Sequence, residues 1–438
     1  MKRLSISLFL ALIVLPLPAL AQQKDSTHRV FADLQMLSRG EIRSGGLPQA
    51  TEGTDDFSAF VVGRARVVMG YERPHLEVNA SFQYSGIWGQ AGGGSMDLYQ
   101  AWIKLHTRNG FFAQLGRQAL SYDDERIIGP DDWSVTGSTH DALKLGYEGH
   151  GLKFHALAAF NQNVENIETG STYYTGGSQP YKTMQLGWLH YDFPRFPLGV
   201  SLLALNIGMQ AGEPHENEHV EWQQMLGGFA SFRPQKWSLE ASYYRQIGRN
   251  EHGAKLDAWM ASAKGRFVPS DIWSLEAGYD FLSGDDKFNI PAEGQIGLIL
   301  HKVLKGFSPV YGSHHSFYGA MDFFYLKTFV HGFSPGLQNA YATVNVNPLK
   351  DLSASLSYHY FATATKLDII GPTLGHEVEL EASWSFMKNV SLSFGLSYMA
   401  GTQNMQILKR ASEKGHLLWT WISLSVNPRI FQHNFPKK

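Results

Sequence analysis

Basic side chains recur at alternate positions of apolar–polar segments, and that spacing is where this chain could do chemistry. Between Ala65, Val67, Met69 and Tyr71 stand Arg64 and Arg66; among Tyr99, Ala101, Ile103 and Leu105 stand Lys104 and His106. Leu143, Leu145 and Tyr147 frame Lys144, and Phe154, Ala156, Ala158 and Phe160 frame Lys153 and His155. Lys264 and Arg266 stand opposite Ala261, Ala263 and Phe267. On an extended strand successive side chains point to opposite faces, so each apolar set defines one face and the bases line the other. A guanidinium keeps its charge at every working pH and takes carboxylates bidentately. Bases facing a water-filled lumen would attract anionic solutes. Acids share that face at Glu77, Glu240, Glu276, Asp280, Glu377, Glu379 and Glu381, with the bases toward the first seven strands and the acids toward the later ones. The competing reading is cross-strand ion pairing that braces the wall, and the two can coexist.

Other chemistry finds little support. Cysteine is absent, which excludes thiolate catalysis, thiolate metal sites and disulfides. His314-His315, His140-Asp141 and His359 lack metal-ligand spacing, and no nucleophile elbow is present. No catalytic residue, metal site or cofactor is expected, and the chain reads as a channel rather than an enzyme. The formal net charge of −2 implies no nucleic-acid partner.

The elements that must carry the bases are long amphipathic strands. In Leu76–Ser85, Trp273–Phe281, Leu352–Tyr360, Val378–Phe386 and Val390–Tyr398 apolar and small polar residues alternate. In the last, Val390, Leu392, Phe394, Leu396 and Tyr398 face one way and Ser391, Ser393, Gly395 and Ser397 the other. Segments of about ten such residues match a transmembrane barrel strand. A soluble sandwich would use strands of about five or six residues. Short connectors such as 72–74, 107–110, 149–150 and 388–389 alternate with long polar ones such as 44–56, 86–95, 120–137 and 163–180. Outer-membrane barrels pair short periplasmic turns with long extracellular loops in that way.

Strands are expected near 28–43, 57–71, 75–86, 96–106, 111–119, 138–148, 151–162, 181–192, 198–210, 220–233, 236–248, 256–267, 272–283, 336–347, 351–361, 376–387, 390–401 and 416–427. The fold class is therefore all-β, a transmembrane antiparallel barrel of about 18 strands, the even number that single-chain bacterial barrels use. Residues 284–335 form one long extracellular insertion with an aromatic stretch at 317–325. Trp188, Tyr191, Trp237, Trp273, Trp419 and Trp421 lie near strand ends, as interfacial girdles would. Charged residues are 17% and aromatics 13%, a balance suited to an outer face that meets lipid.

The N-terminus reads as a secretory leader over residues 1–21. Lys2 and Arg3 precede the apolar run Leu4–Leu15, and Ala19-Leu20-Ala21 is a small-residue cleavage site. The apolar run is short of the 20 or so residues that a spanning helix needs. Residues 22–438 then form a single barrel domain, and strands that begin so early leave no room for an N-terminal plug domain of the TonB-dependent kind.

The stretch Gly116-Arg117-Gln118-Ala119-Leu120-Ser121-Tyr122-Asp123-Asp124-Glu125-Arg126-Ile127-Ile128-Gly129-Pro130-Asp131-Asp132-Trp133, followed by Asp141-Ala142, resembles the signature of the alginate export family of outer-membrane proteins. Leu98–Ala101, Gly278–Asp280, Leu282–Asp285 and Pro309–Gly312 running into His315, Tyr318-Gly319 and Met321-Asp322 fit the same family. The resemblance implies an 18-stranded barrel whose arginine-rich constriction passes anionic polysaccharide. It also implies a pore role for Arg117 and Arg126, which lie inside the motif. The pore set expected is thus Arg64, Arg66, Lys104, Arg117, Arg126, Lys144 and Lys153. The function expected is an outer-membrane channel for anionic saccharides or other small anions. The alternative is a structural or adhesive barrel that binds a partner through residues 284–335. The partners implied are an anionic saccharide or organic acid, outer-membrane lipid, the barrel assembly machinery and periplasmic export components.

Overall fold

The computed structural model describes residues 28–45, 57–163, 172–177, 179–285, 303–324, 329, 334–367, 371–409 and 415–435. The expected leader lies outside these residues, as do positions 286–302, 325–328 and 330–333 of the long insertion.

The strands are β1 (His28–Ser44), β2 (Phe57–Arg73), β3 (Leu76–Ile87), β4 (Ser95–His106), β5 (Phe111–Gln118), β6 (His140–Gly149) and β7 (Leu152–Phe160). They continue as β8 (Thr183–Asp192), β9 (Leu198–Ala211), β10 (His219–Phe232), β11 (Trp237–Arg249), β12 (Lys255–Phe267) and β13 (Trp273–Leu282). Two-residue β14 (Val303–Leu304) is followed by β15 (Leu337–Leu349), β16 (Leu352–Ala362), β17 (Thr373–Met387), β18 (Val390–Gly401), β19 (His416–Val426) and β20 (Arg429–Phe435). β14 pairs in parallel with the end of β12 and is not part of the wall. β20 continues β19 past Asn427-Pro428, since both run antiparallel to β1, at Met36–Ser44 and at His28–Asp33. The wall is therefore a closed antiparallel barrel of 18 strands, each paired with its sequence neighbour and the last with the first. Closure leaves no strand edge, which is what a sheet in lipid requires.

The faces follow from the alternation. Val67, Met69, Leu202, Leu226, Leu356, Phe394 and Ile422 are exposed on the outside, while their strand neighbours are covered from within. This exposed apolar belt, on a closed barrel, belongs to the bacterial outer membrane. Two face assignments differ from those expected. Ser81 pairs with Gln100 and Phe82 with Leu98, so Tyr99 is an extra residue in β4. The bulge turns Tyr99 inward, where it is buried, while Leu98 takes the outer face. Arg117 is the second case. Phe112, Gln114 and Gln118 are buried inside, and Phe111 and Leu115 are exposed outside, so Arg117 falls on the outward parity.

Three of the tryptophans placed in the girdles also face inward. Trp188, Trp419 and Trp421 are buried against inner segments, whereas Trp237 and Trp273 are exposed outside. Those inner segments are residues 119–137 and the described part of 303–336. They pair with one another, Gly129 N–H donating to Tyr311 O (2.8 Å) and Tyr311 N–H to Ile127 O (3.0 Å). Around that pairing Tyr122, Ile127, Ile128, Tyr311, Tyr318, Phe323 and Phe324 form one apolar cluster with inward residues of the wall such as Leu205, Tyr244, Phe361, Met399 and Trp419. Burial of each such side chain contributes roughly 1.5–3 kcal/mol. The described portion of the long insertion is thus packed inside the barrel.

Candidate functional site

Arginines of β1 and β2 converge on the 131–134 turn inside the barrel. Arg64 gives both terminal nitrogens to Asp132, at 2.9 Å to Oδ1 and 3.3 Å to Oδ2. Arg66 reaches the same Oδ1 at 3.2 Å, donates to Gln83 at 2.8 Å and lies 3.5 Å over the Tyr99 ring. The bulge that turns Tyr99 inward therefore builds the platform for Arg66. One residue row away, Arg39 donates to Glu41 (2.9 Å) and to Trp133 O (3.1 Å), with its guanidinium 3.9 Å over the Trp133 ring. Glu41 also accepts from Arg43 (3.2 Å) and Trp419 Nε1 (3.0 Å).

Four guanidinium groups thus face two carboxylates among the described residues. Burial is unequal: the Arg64 and Arg66 side chains are 9% and 6% exposed, Asp132 52%. Among the described residues, the buried Nε of Arg43 and Arg64 and Nη2 of Arg66 have no hydrogen-bond partner. The cluster therefore keeps spare positive charge and spare donors behind a solvent-accessible carboxylate. An exposed ion pair is worth little. Here Arg64 and Arg66 are desolvated and Asp132 is not, so a second anion approaching from the open side meets an excess of positive charge.

Arg126 plays another part. It is 4% exposed and ion-paired with Asp124 and Asp280, both at 3.2 Å. It also donates to Tyr318 Oη (3.0 Å) and lies 4.2 Å over the Phe317 ring. The expected pore role for Arg126 is corrected: it is enclosed by acids and aromatics and ties the two inner segments to β13. Arg117 makes a bidentate pair with Asp141, at 2.9 and 2.7 Å, on the outer face. The expected pore role for Arg117 is corrected too, because β5 parity points its side chain away from the lumen.

The lysines lie toward the short-turn end. Lys104 and Lys144 lie 4.7 and 5.9 Å from the Phe112 ring centroid, on the lumen side. Lys153 stands opposite Glu148 in the β6–β7 register, beside the Glu148–His155 contact of 2.9 Å. Lys104, Lys144 and Lys153 share the inward parity of their strands toward the short-turn end, apart from the arginine cluster.

Two inward acids of β17 hold an inner segment, and Glu240 pairs within the wall. Glu379 accepts from Ala320 N–H (2.7 Å) and Glu377 from Met321 N–H (2.9 Å). Glu240 pairs with Lys264 (3.1 Å) and Arg233 (3.2 Å). Asp123 accepts from Trp188 Nε1 (3.0 Å) and Tyr244 Oη (3.3 Å), and burial pushes its carboxyl above the ordinary range. Arg39, Arg43, Asp132 and Trp133 were not read as site residues from sequence. Arg39, Glu41 and Arg43 do share one parity, but β1 lacks a clean apolar face to announce it.

No family model matches the chain, and no curated protein does either. Among solved structures it is similar to OccK11 (OpdR) of Pseudomonas aeruginosa, 14% identical over 92% of this chain and 96% of that one, with a TM-score of 0.60. OccK3 (OpdO) of Pseudomonas aeruginosa is 12% identical over 92% and 96%, TM-score 0.61. OccAB1 of Acinetobacter baumannii is 11% identical over 92% and 97%, TM-score 0.60. At such identities the likeness shows the fold alone, an outer-membrane β-barrel of the porin type.

Proposed function

We propose that the chain is an outer-membrane channel for small anionic solutes, of which carboxylated saccharides and organic acids fit best. The observation that carries this reading is the arginine cluster of β1 and β2: four guanidinium groups, three of them with side chains less than a tenth exposed, facing two carboxylates, with Asp132 half-exposed. Lys104, Lys144 and Lys153 would continue the basic track toward the short-turn end. Glu377, Glu379 and Glu381 share the inward parity of β17, three strands from β1 around the closed wall. The excess positive charge of the arginine cluster sets up a field that draws an anionic solute toward β1 and β2. A channel with low-dielectric walls focuses such a field and raises the local anion concentration.

The resemblance of Gly116–Trp133 to the alginate export signature is the reason a uronate is named as one member of this solute class. Two of its residues act elsewhere, Arg117 outside and Arg126 in the inner clamp, so selectivity rests on Arg39, Arg43, Arg64 and Arg66. The adhesive alternative draws less support, because Phe307, Tyr311, Tyr318, Met321, Phe323 and Phe324 of the insertion are packed inside the barrel rather than presented outward. Planar-bilayer recording tests the proposal. Across a salt gradient the reversal potential should report anion preference, and a uronate should block small-ion current at lower concentration than a neutral sugar of equal size. Cation preference with no uronate block would refute it.

A further inference from the structure

The lipid-facing side of β8–β11 departs from the plain apolar belt. Gly187, Ala204, Leu226 and Arg245 form one outward row, each opposite the next. Leu189, Leu202, Gly228 and Tyr243 form the row on the short-turn side. Small residues at Gly187, Ala204 and Gly228 leave a groove of about 990 Å³ between Leu202, Leu226 and Tyr243. Those walls are 60%, 49% and 49% exposed, and a Cβ added at Gly187 would meet nothing within 4 Å. The groove is therefore a depression in the outer surface, away from the lumen.

Its upper border is polar. In the adjoining outward row Gln185 Nε2 donates to Thr183 Oγ1 (2.8 Å), Asn206 Nδ2 to Gln185 Oε1 (2.7 Å) and Gln224 Nε2 to Asn206 Oδ1 (2.8 Å). Amides on a lipid-facing register are costly unless they meet polar partners. On the outward positions of the β11–β12 hairpin Arg245 stands in the groove's own row, Asp257 is level with the amides, and Arg249 and Lys255 lie beyond them, with Glu251 in the turn. Arg245 pairs with Asp257 at 2.9 Å, both half-exposed. Trp222 and Trp259 flank this level on the outer face, as residues at a bilayer interface do.

We infer that this face binds one anionic amphiphile of the outer leaflet, a phosphorylated lipid. An acyl chain lies in the groove over Gly187, Ala204 and Gly228, its polar linkage meets the Gln185–Asn206–Gln224 row, and its phosphate meets Arg245 and Arg249. The occupant follows from the surroundings and the charge: the groove opens to hydrocarbon, and the cations on its outer rim outnumber the acids.

The full-length protein, purified and delipidated in detergent, would be titrated with bisphosphorylated lipid A or with zwitterionic phosphatidylethanolamine and read by native mass spectrometry. The variants are Gly187→Leu, which fills the groove floor from open space, and Arg245→Gln, which removes one headgroup contact. Expected are a retained lipid A adduct at one per chain, at least ten-fold weaker in each variant, and no comparable adduct with phosphatidylethanolamine. Lumen conductance should stay at the wild-type value in both variants, which separates a lost lipid site from a misfolded barrel. Equal binding of the two lipids, or unchanged lipid A affinity in Gly187→Leu, overturns the inference. So does a dimer or trimer of wild-type chains that Gly187→Leu dissolves while lipid A still binds, since the groove would then be an interface between copies.

Discussion

Charge at the Asp132 site can be changed in both directions without replacing any lipid-facing side chain. Arg64 and Arg66 share the Asp132 carboxylate, so the local charge is one net positive. Replacing both arginines with Ala leaves Asp132 alone, one net negative. A monovalent solute passing about 5 Å away in water feels about 0.8 kcal/mol per unit charge, so a change of two units is about 1.7 kcal/mol before screening. With a Debye length of about 10 Å at 0.1 M salt, about 1 kcal/mol survives, roughly a five-fold loss in anion entry. At 1 M, where the Debye length is about 3 Å, about 0.3 kcal/mol survives and the loss falls below about two-fold. Asp132→Asn changes the charge by one unit the other way and should raise anion entry about two-fold at 0.1 M. The assay is the reversal potential in planar bilayers for wild type, Arg64→Ala/Arg66→Ala and Asp132→Asn, at both salt concentrations. The reasoning is refuted if the arginines only anchor the 131–134 turn. The double variant would then conduct more, with an unchanged reversal potential, and Asp132→Asn would behave like it instead of opposite to it.

Other substitutions should separate the clamp from the channel. Arg126→Ala strands Asp280 and Asp124 inside the barrel; breaking a buried pair costs about 3–5 kcal/mol, so proteolysis of the inner segments should accelerate while ion preference stays near wild type. Leu396→Arg, beside Leu380 on the outer face, should cost about 2–4 kcal/mol in urea unfolding from lipid, and Ser393→Arg on the lumen side of the same strand much less. Burial raises the Asp123 carboxyl, so its contribution to docking of the inner segment is full below the ordinary carboxylate range and is lost as pH rises through the raised value. Hydrogen exchange of the Gly129 and Tyr311 amides, corrected for intrinsic rate, should therefore slow from neutral to mildly acidic pH, and Asp123→Asn should flatten that dependence.

The wall was legible because one physical rule writes it. Lipid outside and water or polar packing inside force period two, and every expected strand from 28–43 to 416–427 lies within a few residues of an observed one. The extension Arg429–Phe435 was missed because Asn427-Pro428 reads as a stop, although the Pro428 carbonyl still accepts from Leu34 N–H at 3.0 Å and keeps the pairing with β1 alive. The lumen was less legible, because alternation says which side a residue faces and not what meets it there. Arg64 and Arg66 were placed inside correctly, but their shared partner Asp132 comes from a segment about 70 residues away that folds back across the lumen. Parity also fails without warning at a bulge: one extra residue at Tyr99 turned an expected lipid contact into the ring beneath Arg66. Trp188, Trp419 and Trp421 show the same limit, since an aromatic near a strand end suits a girdle or an inner packing site equally well. The motif Gly116–Trp133 carries both outcomes in one stretch. Its arginines go to an outer ion pair and an inner clamp, while Asp132 and Trp133, at its far end, complete the cluster that β1 and β2 begin. The selective chemistry lies where a wall strand and an inner segment meet, a junction that neither segment's own pattern encodes.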